Sequence, residues 1–90
     1  MANEEGPYKV SVASYKDATK YIVLKHNTVT GESWVFGKQG LEKLPEQEAV
    51  PASNYAVEIV PLLQGWFATR IDTLSGRTWS IKKGRWGEYK

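Results

Sequence analysis

The sequence contains no cysteine and only one histidine, His26, among its 90 residues. Without cysteine, the chain has no disulfide framework, no thiolate metal site and no cysteine nucleophile. A single histidine also excludes a multi-histidine metal site, so no metal and no cofactor is predicted. The absence of cysteine fits a reducing compartment.

Long apolar runs are missing as well. No segment approaches the roughly 20 apolar residues that a membrane-spanning helix needs, and the first residues, MANEEGPYK, lack an apolar signal-peptide core. The sequence therefore predicts a soluble, cytoplasmic protein with no membrane partner. A chain of this length buries only about 60–65% of the surface that its unfolded form exposes, so we expect one small domain with a modest core.

Catalytic signatures are also missing. The sequence contains no GxSxG motif, no P-loop and no GxGxxG motif. An acid–base pair would need two carboxylates in different surroundings, or His26 with a partner, and the carboxylates are scattered through turns and a polar linker. We therefore predict that the protein is not an enzyme and that His26 has a structural role.

A repeat is the clearest feature that the sequence does contain. The segments NTVTGESW (27–34) and DTLSGRTW (72–79) lie 45 residues apart, and the preceding YIVLKHN (21–27) matches WFATRID (66–72) in the same register. Further upstream, YKVSVAS from Tyr8 matches YAVEIVP from Tyr55 at a spacing of 47 residues. The chain is thus predicted to be a single domain, residues 1–90. It contains two internal repeats, about 8–44 and 55–89, joined by a polar, proline-containing linker at about 45–54.

Each repeat is predicted to form three antiparallel strands. Apolar residues alternate along the first strand, as at Tyr8, Val10 and Val12, which is typical of a half-buried strand. Aromatic residues also favour strands, and the chain has four tryptophans and five tyrosines. Asn27 and Asp72 suit an Asx turn, and the glycines four residues later supply a positive φ for a hairpin.

These patterns predict an all-β fold made of two tandem, pseudo-symmetric three-stranded antiparallel meanders, with about six or seven strands. Neither meander covers both of its faces alone, so we expect the two to pack as a small barrel or sandwich, or to complete a barrel by oligomerisation. One turn of helix over 41–48 is an alternative for the segment after the first meander. The C-terminal segment, IKKGRWGEYK, either adds a short fourth strand or packs Trp86 and Tyr89 against the sheet.

The pattern Asp–Thr–x–Thr/Ser–Gly–x–x–Trp after an apolar strand resembles hairpins of small bacterial and phage proteins of unknown function. It is also similar to the blade motif of quinoprotein-type β-propellers, Ala–x–Asp–x–x–Thr–Gly–x–x–x–Trp, although here two residues rather than three separate glycine from tryptophan. A propeller needs about four or more blades. The resemblance therefore implies a propeller only as an assembly of several chains, and it implies no catalytic residue.

Aromatic and basic residues share one side of the second strand of each repeat. This arrangement is typical of a stacking platform with a positive rim, which binds single-stranded nucleic acid or nucleotides. Alternatively, the rings cover a second small core and the basic stems lie over it. The C-terminal segment also interleaves basic and aromatic residues, which suits contact with phosphate or an acidic surface, unless it is a solvated terminus. The candidate binding residues are Tyr21, Lys25, Trp66, Arg70, Lys82, Lys83, Arg85 and Trp86. Trp34 and Trp79, by contrast, are predicted to pack in the core.

The charge balance does not by itself indicate a nucleic-acid partner, because 12 basic and 10 acidic residues give a net charge of +2. The sequence favours a non-catalytic β-rich binding module that acts as a homo-oligomer. Its partner would be a protein, or a small ligand at the junction between the repeats. A phage or bacterial inhibitor and a ligand-sequestering protein both belong to this class. The alternative is binding of nucleic acid or nucleotides through the aromatic and basic face.

Overall fold

The computed structural model describes residues 6–37, 39–82 and 84–89. These residues form eight strands and no helix, so the predicted all-β fold is confirmed. The N-terminal sheet contains β1 (Tyr8–Tyr15), β2 (Lys20–Asn27), β3 (Ser33–Gly37) and β4 (Gly40–Lys43). The C-terminal sheet contains β5 (Tyr55–Pro61), β6 (Trp66–Asp72), β7 (Thr78–Lys82) and β8 (Arg85–Glu88). Within the described ranges, no helix is long and apolar enough to cross a membrane.

Each sheet has one strand more than the predicted meander. Gly40, at φ +106°, reverses the chain directly after β3, and Leu41 then pairs with Phe36 across the sheet. The alternative of a helical turn over 41–48 is therefore wrong. Gly84, at φ +80°, makes the equivalent turn before β8. The chain thus forms two four-stranded sheets, whereas closure into a barrel or sandwich stays a prediction.

The two sheets share one internal register. Both are antiparallel, and their strands follow one another in chain order. Lys25 pairs with Trp34 in the N-terminal sheet just as Arg70 pairs with Trp79 in the C-terminal sheet. Every aligned pair in the remaining ladders keeps the same correspondence.

The hairpin turns also correspond atom for atom. Asn27 Oδ1 accepts hydrogen bonds from the backbone N–H groups of Val29 and Thr30, at 2.8 and 3.0 Å. Asp72 Oδ1 accepts the same two bonds in the C-terminal sheet, at 2.9 and 3.2 Å. The predicted Asx turns are therefore confirmed, and the turn glycines, Gly31 and Gly76, have φ values of +80° and +82°.

The core lies between the sheets and uses opposite faces of the two repeats. On β2 the buried face contains Ile22 and Leu24. The residues aligned with them on β6 point away from the core, because β6 buries Ala68 and Arg70 instead. The face that the C-terminal sheet buries is therefore the face that the N-terminal sheet turns outwards. The buried apolar residues of the core are Leu24, Leu44, Tyr55, Val57, Ala68, Trp79 and Trp86.

Candidate functional site

Arg70 is the central residue of a buried aromatic cluster at the junction of the two sheets. Its side chain is 0% exposed. The guanidinium carbon lies 4.5 Å from the ring centroid of Trp79, 4.7 Å from that of Trp86 and 5.5 Å from that of Tyr55. At these distances the positive charge is attracted by the negative faces of the rings. These four residues are called the core cluster hereafter. The core cluster holds a cation on the buried face of the C-terminal sheet.

Hydrogen bonds link this cation to the N-terminal half of the chain. Arg70 donates two hydrogen bonds to the carboxylate of Glu46, at 2.8 and 2.9 Å. Its Nη1 also donates to the carbonyl oxygen of Gly31, at 2.9 Å. The bidentate geometry neutralises the buried charge, as a cation in the core requires. Arg70 thus fixes the C-terminal sheet against the first hairpin turn and the linker.

A second cluster of the same design lies on the outside of the N-terminal sheet. Lys25 Nζ is 4.6 Å from the ring centroid of Trp34 and 5.3 Å from that of Tyr8. The two rings lie 6.1 Å apart at 52°, close to the 5.8 Å and 64° of the buried pair of Tyr55 and Trp79. Hereafter, Tyr8, Lys25 and Trp34 are called the aromatic–lysine cluster. It repeats the core cluster but is half-exposed.

The aromatic–lysine cluster belongs to a continuous outer face. Strand register and alternation place ten residues on it: Tyr8, Val10, Val12, Tyr21, Val23, Lys25, Trp34, Phe36, Leu41 and Lys43. Their counterparts on the inner face of the C-terminal sheet are Tyr55, Val57, Ile59, Trp66, Ala68, Arg70, Trp79, Ile81, Trp86 and Glu88. Large apolar residues on the outer face are exposed, with Tyr8 at 53%, Val12 at 63% and Tyr21 at 71%. The N-terminal sheet thus shows to solvent a surface built like the core side of its twin.

The predicted binding residues are divided among different environments. Tyr21 and Lys25 lie on the outer face, and Arg85 is exposed at the start of β8. Arg70 is buried in the core, and so is Trp86, whose indole Nε1 donates to Ser33 Oγ at 2.6 Å. The remaining three residues are Trp66, which is half-buried, Lys82, described only by its place in β7, and Lys83, outside the described residues. The candidates that the structure describes with their side chains therefore lie in separate environments.

Trp66 lines an open groove where the two sheets meet. The groove has a volume of about 580 Å³. Val35 and Leu44 line it from the N-terminal half, and Trp66 and Ile81 line it from the C-terminal sheet. Its walls are mainly apolar, with Lys43 and Glu42 at the rim. This groove lies at the junction of the repeats, where a small ligand was predicted, and a smaller cavity lined by His26 and Tyr55 also lies there.

The perturbed titratable groups near the sheet junction have structural partners. Burial lowers the pKa of His26, whose Nε2 lies 3.3 Å from the carbonyl oxygen of Tyr55. A hydrogen bond from Ser53 and the turn amides lower the pKa of Asp72 to about 2. Within the described residues, no group of three or more histidine, aspartate or glutamate side chains is arranged to hold a metal ion. These groups serve turns and sheet contacts.

Comparisons of the chain with protein-family models, with curated proteins and with solved structures found no match.

The outer face as a whole was missed at the level of sequence, although two of its members were predicted. The alternation along β1 and β2 correctly groups Tyr8, Val10 and Val12 on one side, but it does not tell which side is covered. The sequence does contain one signal, which is a difference between the repeats in the residues on the opposite side of the sheet from Tyr8, Val10 and Val12. Leu24 and Val35 are apolar where the second repeat has Thr69 and Ser80. On this side the first repeat is more apolar than the second, and this is the side on which the first repeat packs in the core.

Proposed function

We propose that the protein is a non-catalytic binding module that docks a protein partner on the outer face of the N-terminal sheet. A single observation carries this proposal. The outer face repeats, position by position, the surface with which the C-terminal sheet packs against the rest of the chain. Because the outer face has the residue types and strand register of a face that is buried in the C-terminal sheet, it is suited to being covered by a partner.

The chemistry of the outer face fits a protein partner. Tyrosine, tryptophan and phenylalanine are enriched at protein interfaces, and Tyr8, Trp34 and Phe36 all lie here. Monomeric proteins rarely expose large contiguous apolar patches, and such patches mark interaction sites. Lys25 supplies one positive charge in the middle of the face, held above the rings. An apolar surface with a central cation and tyrosine and tryptophan donors suits a partner that presents backbone carbonyl groups and uncharged side chains.

Photo-crosslinking tests this proposal directly. A photoreactive amino acid replaces Val12, which is 63% exposed on the outer face, and the matched control replaces Leu63, which is 80% exposed in the β5–β6 loop. In an extract of the source cells, we expect a discrete protein adduct from position 12 and none from position 63. Absence of an adduct at position 12, or the same adducts from both positions, would contradict the docking function.

Nucleic-acid binding is the less favoured alternative. Two of its predicted contributors, Arg70 and Trp86, are in the core, and Arg70 is already paired with Glu46. Tyr21 and Arg85 lie on different sheets, so they do not form a single stacking track with a positive rim. The inhibitor, ligand-sequestering and non-enzymatic roles stay predictions.

A further inference from the structure

Within the chain, the core cluster packs on the turn that contains Gly31. The Arg70 guanidinium donates to the Gly31 carbonyl, and a Cβ added at Gly31 would lie 3.2 Å from the ring of Tyr55. Gly31 is buried by this contact. One sheet's aromatic–cation cluster is thus seated on the hairpin turn of the other sheet.

The C-terminal sheet carries an equivalent turn whose glycine is not covered by the described residues. The Gly76 turn (Asp72–Gly76) has the same Asx hydrogen bonds as the first turn, and its glycine has nearly the same φ. Among the described residues, the linker contacts only the start of this turn, where Ser53 donates to Asp72 and Asn54 donates to Thr73. Gly76 is nevertheless exposed, and no heavy atom of the described residues would lie within 4 Å of a Cβ there. The glycine of the first turn is covered and that of the second is open. The Gly76 carbonyl oxygen accepts a hydrogen bond from Thr78 Oγ1 at 3.1 Å, and its second lone pair can accept another.

The surface next to the Gly76 turn is compatible with a second sheet. The residues on the outer side of β6 and β7 near the turn are uncharged: Thr69, Ile71, Thr78 and Ser80, of which Ser80 is already buried within the chain. They correspond to Leu24, His26, Ser33 and Val35, which receive the core cluster inside the chain. Ser80 Oγ is buried and has no hydrogen-bond partner among the described residues. A docked sheet would therefore meet no ionised side chain at these four positions, whereas Glu58 of β5, paired with Thr69, places an exposed carboxylate beside them.

We infer that the partner of the outer face is a second copy of this chain, packed head to tail. In this arrangement the aromatic–lysine cluster of one copy covers the Gly76 turn of the next, and Lys25 donates to the Gly76 carbonyl as Arg70 does to Gly31. This inference rests on the proposed docking function and names its partner. Because two different surfaces meet, the contact is heterologous, and repeating it gives a ring or a filament rather than a closed twofold dimer.

Two single variants and their mixture test the inference. Val12→Glu places a charge on the outer face, and Ile71→Glu places one beside the Gly76 turn. Burying an unpaired carboxylate in either contact should lower the association constant by about tenfold or more. Sedimentation velocity over a range of concentrations should show assembly of the wild-type chain and monomers for each variant alone. The equimolar mixture should form a dimer and stop there, because it contains one intact pair of surfaces.

Controls make each outcome decisive. Leu63→Glu, at an exposed loop position away from both surfaces, should assemble like the wild type. Circular dichroism checks that each variant is folded. If Val12→Glu does not fold, Tyr21→Glu replaces it on the outer face, and if Ile71→Glu does not fold, Leu74→Glu replaces it at the Gly76 turn, since both positions are highly exposed. A wild-type chain that stays monomeric, an Ile71→Glu variant that still dimerises, or a mixture that does not dimerise would overturn the inference. A monomeric chain that crosslinks another protein through position 12 would overturn only this inference and leave the docking function intact.

Discussion

Gly31 and Gly76 are aligned residues with nearly equal φ and different surroundings. A positive φ costs a non-glycine residue about 1–2 kcal/mol at either position. At Gly31 an added Cβ would also lie within 3.2 Å of the Tyr55 ring, which is held in the core. Both positions therefore favour glycine because of the positive φ, and Gly31 also needs glycine because a Cβ would crowd the Tyr55 ring.

We expect Gly76→Ala to lower the free energy of unfolding by about 1 kcal/mol and Gly31→Ala by about 2–4 kcal/mol. The difference arises because overpacking adds about 1–3 kcal/mol to the backbone cost. Urea denaturation at a concentration where the protein is monomeric measures both values. Gly84→Ala, at another open position with φ +80°, should match Gly76→Ala. Equal losses at Gly31 and Gly76 would disprove the packing requirement.

Asp72 makes the stability of the fold depend on pH, whereas its counterpart Asn27 does not. Its folded pKa of about 2 lies below the usual value for aspartate, about 3.9 in an unfolded chain. The stabilisation is thus present above about pH 4 and is lost as the pH falls towards about 2. Asp72→Asn keeps the Oδ1 acceptor, as Asn27 shows, so we expect a shallower loss of stability over this range. Thermal melts of the wild type, Asp72→Asn and the exposed control Asp17→Asn measure it, and identical slopes would contradict the expectation.

In each sheet an ion pair joins the residue before the third strand to the fourth strand, and its charges are reversed between the two sheets. Glu32 accepts from Lys43 Nζ at 2.6 Å in the N-terminal sheet. At the aligned positions of the C-terminal sheet, Arg77 Nε donates to Glu88 at 2.8 Å. The difference between Glu32 and Arg77 looks like free variation in a sequence alignment. In the structure it is compensated by a second charge difference, because Lys43 of β4 aligns with Glu88 of β8.

We expect the reversed pair to be acceptable in either sheet. Glu32→Arg alone places two cations together and should lower the free energy of unfolding by about 0.5–1 kcal/mol. Adding Lys43→Glu should restore most of that loss, because the double variant copies the arrangement of the C-terminal sheet. A double-mutant cycle in urea at low salt measures the coupling. A double variant less stable than Glu32→Arg would show that the two residues do not act as a pair.

At the level of elements, the sequence predicted about six or seven strands and both hairpin turns through residues with strict local requirements. Asn27 and Gly31 determine a turn whatever surrounds them. Strand faces followed from alternation, but the choice of the covered face did not, because that depends on which sheet lies above it. For the same reason, Lys25 and Arg70 looked equivalent in sequence, although only Lys25 lies on a surface. β4 was missed, and β8 was predicted only as one of two alternatives, because each of these strands has only four residues.

At the scale of the whole molecule, a few long-range contacts join the two halves. Arg70 binds Glu46 and the Gly31 carbonyl, and the indole of Trp86 binds Ser33 Oγ. The contacts with Gly31 and Ser33 are buried and connect residues from different repeats, whereas the contact with Glu46 connects the second repeat to the linker. The relative position of the sheets thus depends on these polar contacts as well as on apolar packing.

Glu46→Gln should lower the free energy of unfolding by about 3 kcal/mol. The variant leaves the buried Arg70 charge without a counter-ion, and breaking a buried ion pair from one side is strongly destabilising. Urea denaturation followed by tryptophan fluorescence reports it, since Trp79 and Trp86 stack on the guanidinium. Glu48→Gln, two residues away and exposed, should change stability by less than about 0.5 kcal/mol. A similar effect of both substitutions would argue against the ion pair as the link between the halves.

The order of strands also has a consequence for how the chain folds. Within each sheet, every strand pairs with its neighbours in sequence, so the ladders close short loops and their formation is fast. The contacts of Arg70 with Gly31 and of Trp86 with Ser33 span 39 and 53 residues and require the sheets to exist first. Docking of the halves is therefore the late step. A nascent chain that has completed its first sheet already displays, before its second half is made, the surface on which we place the next copy.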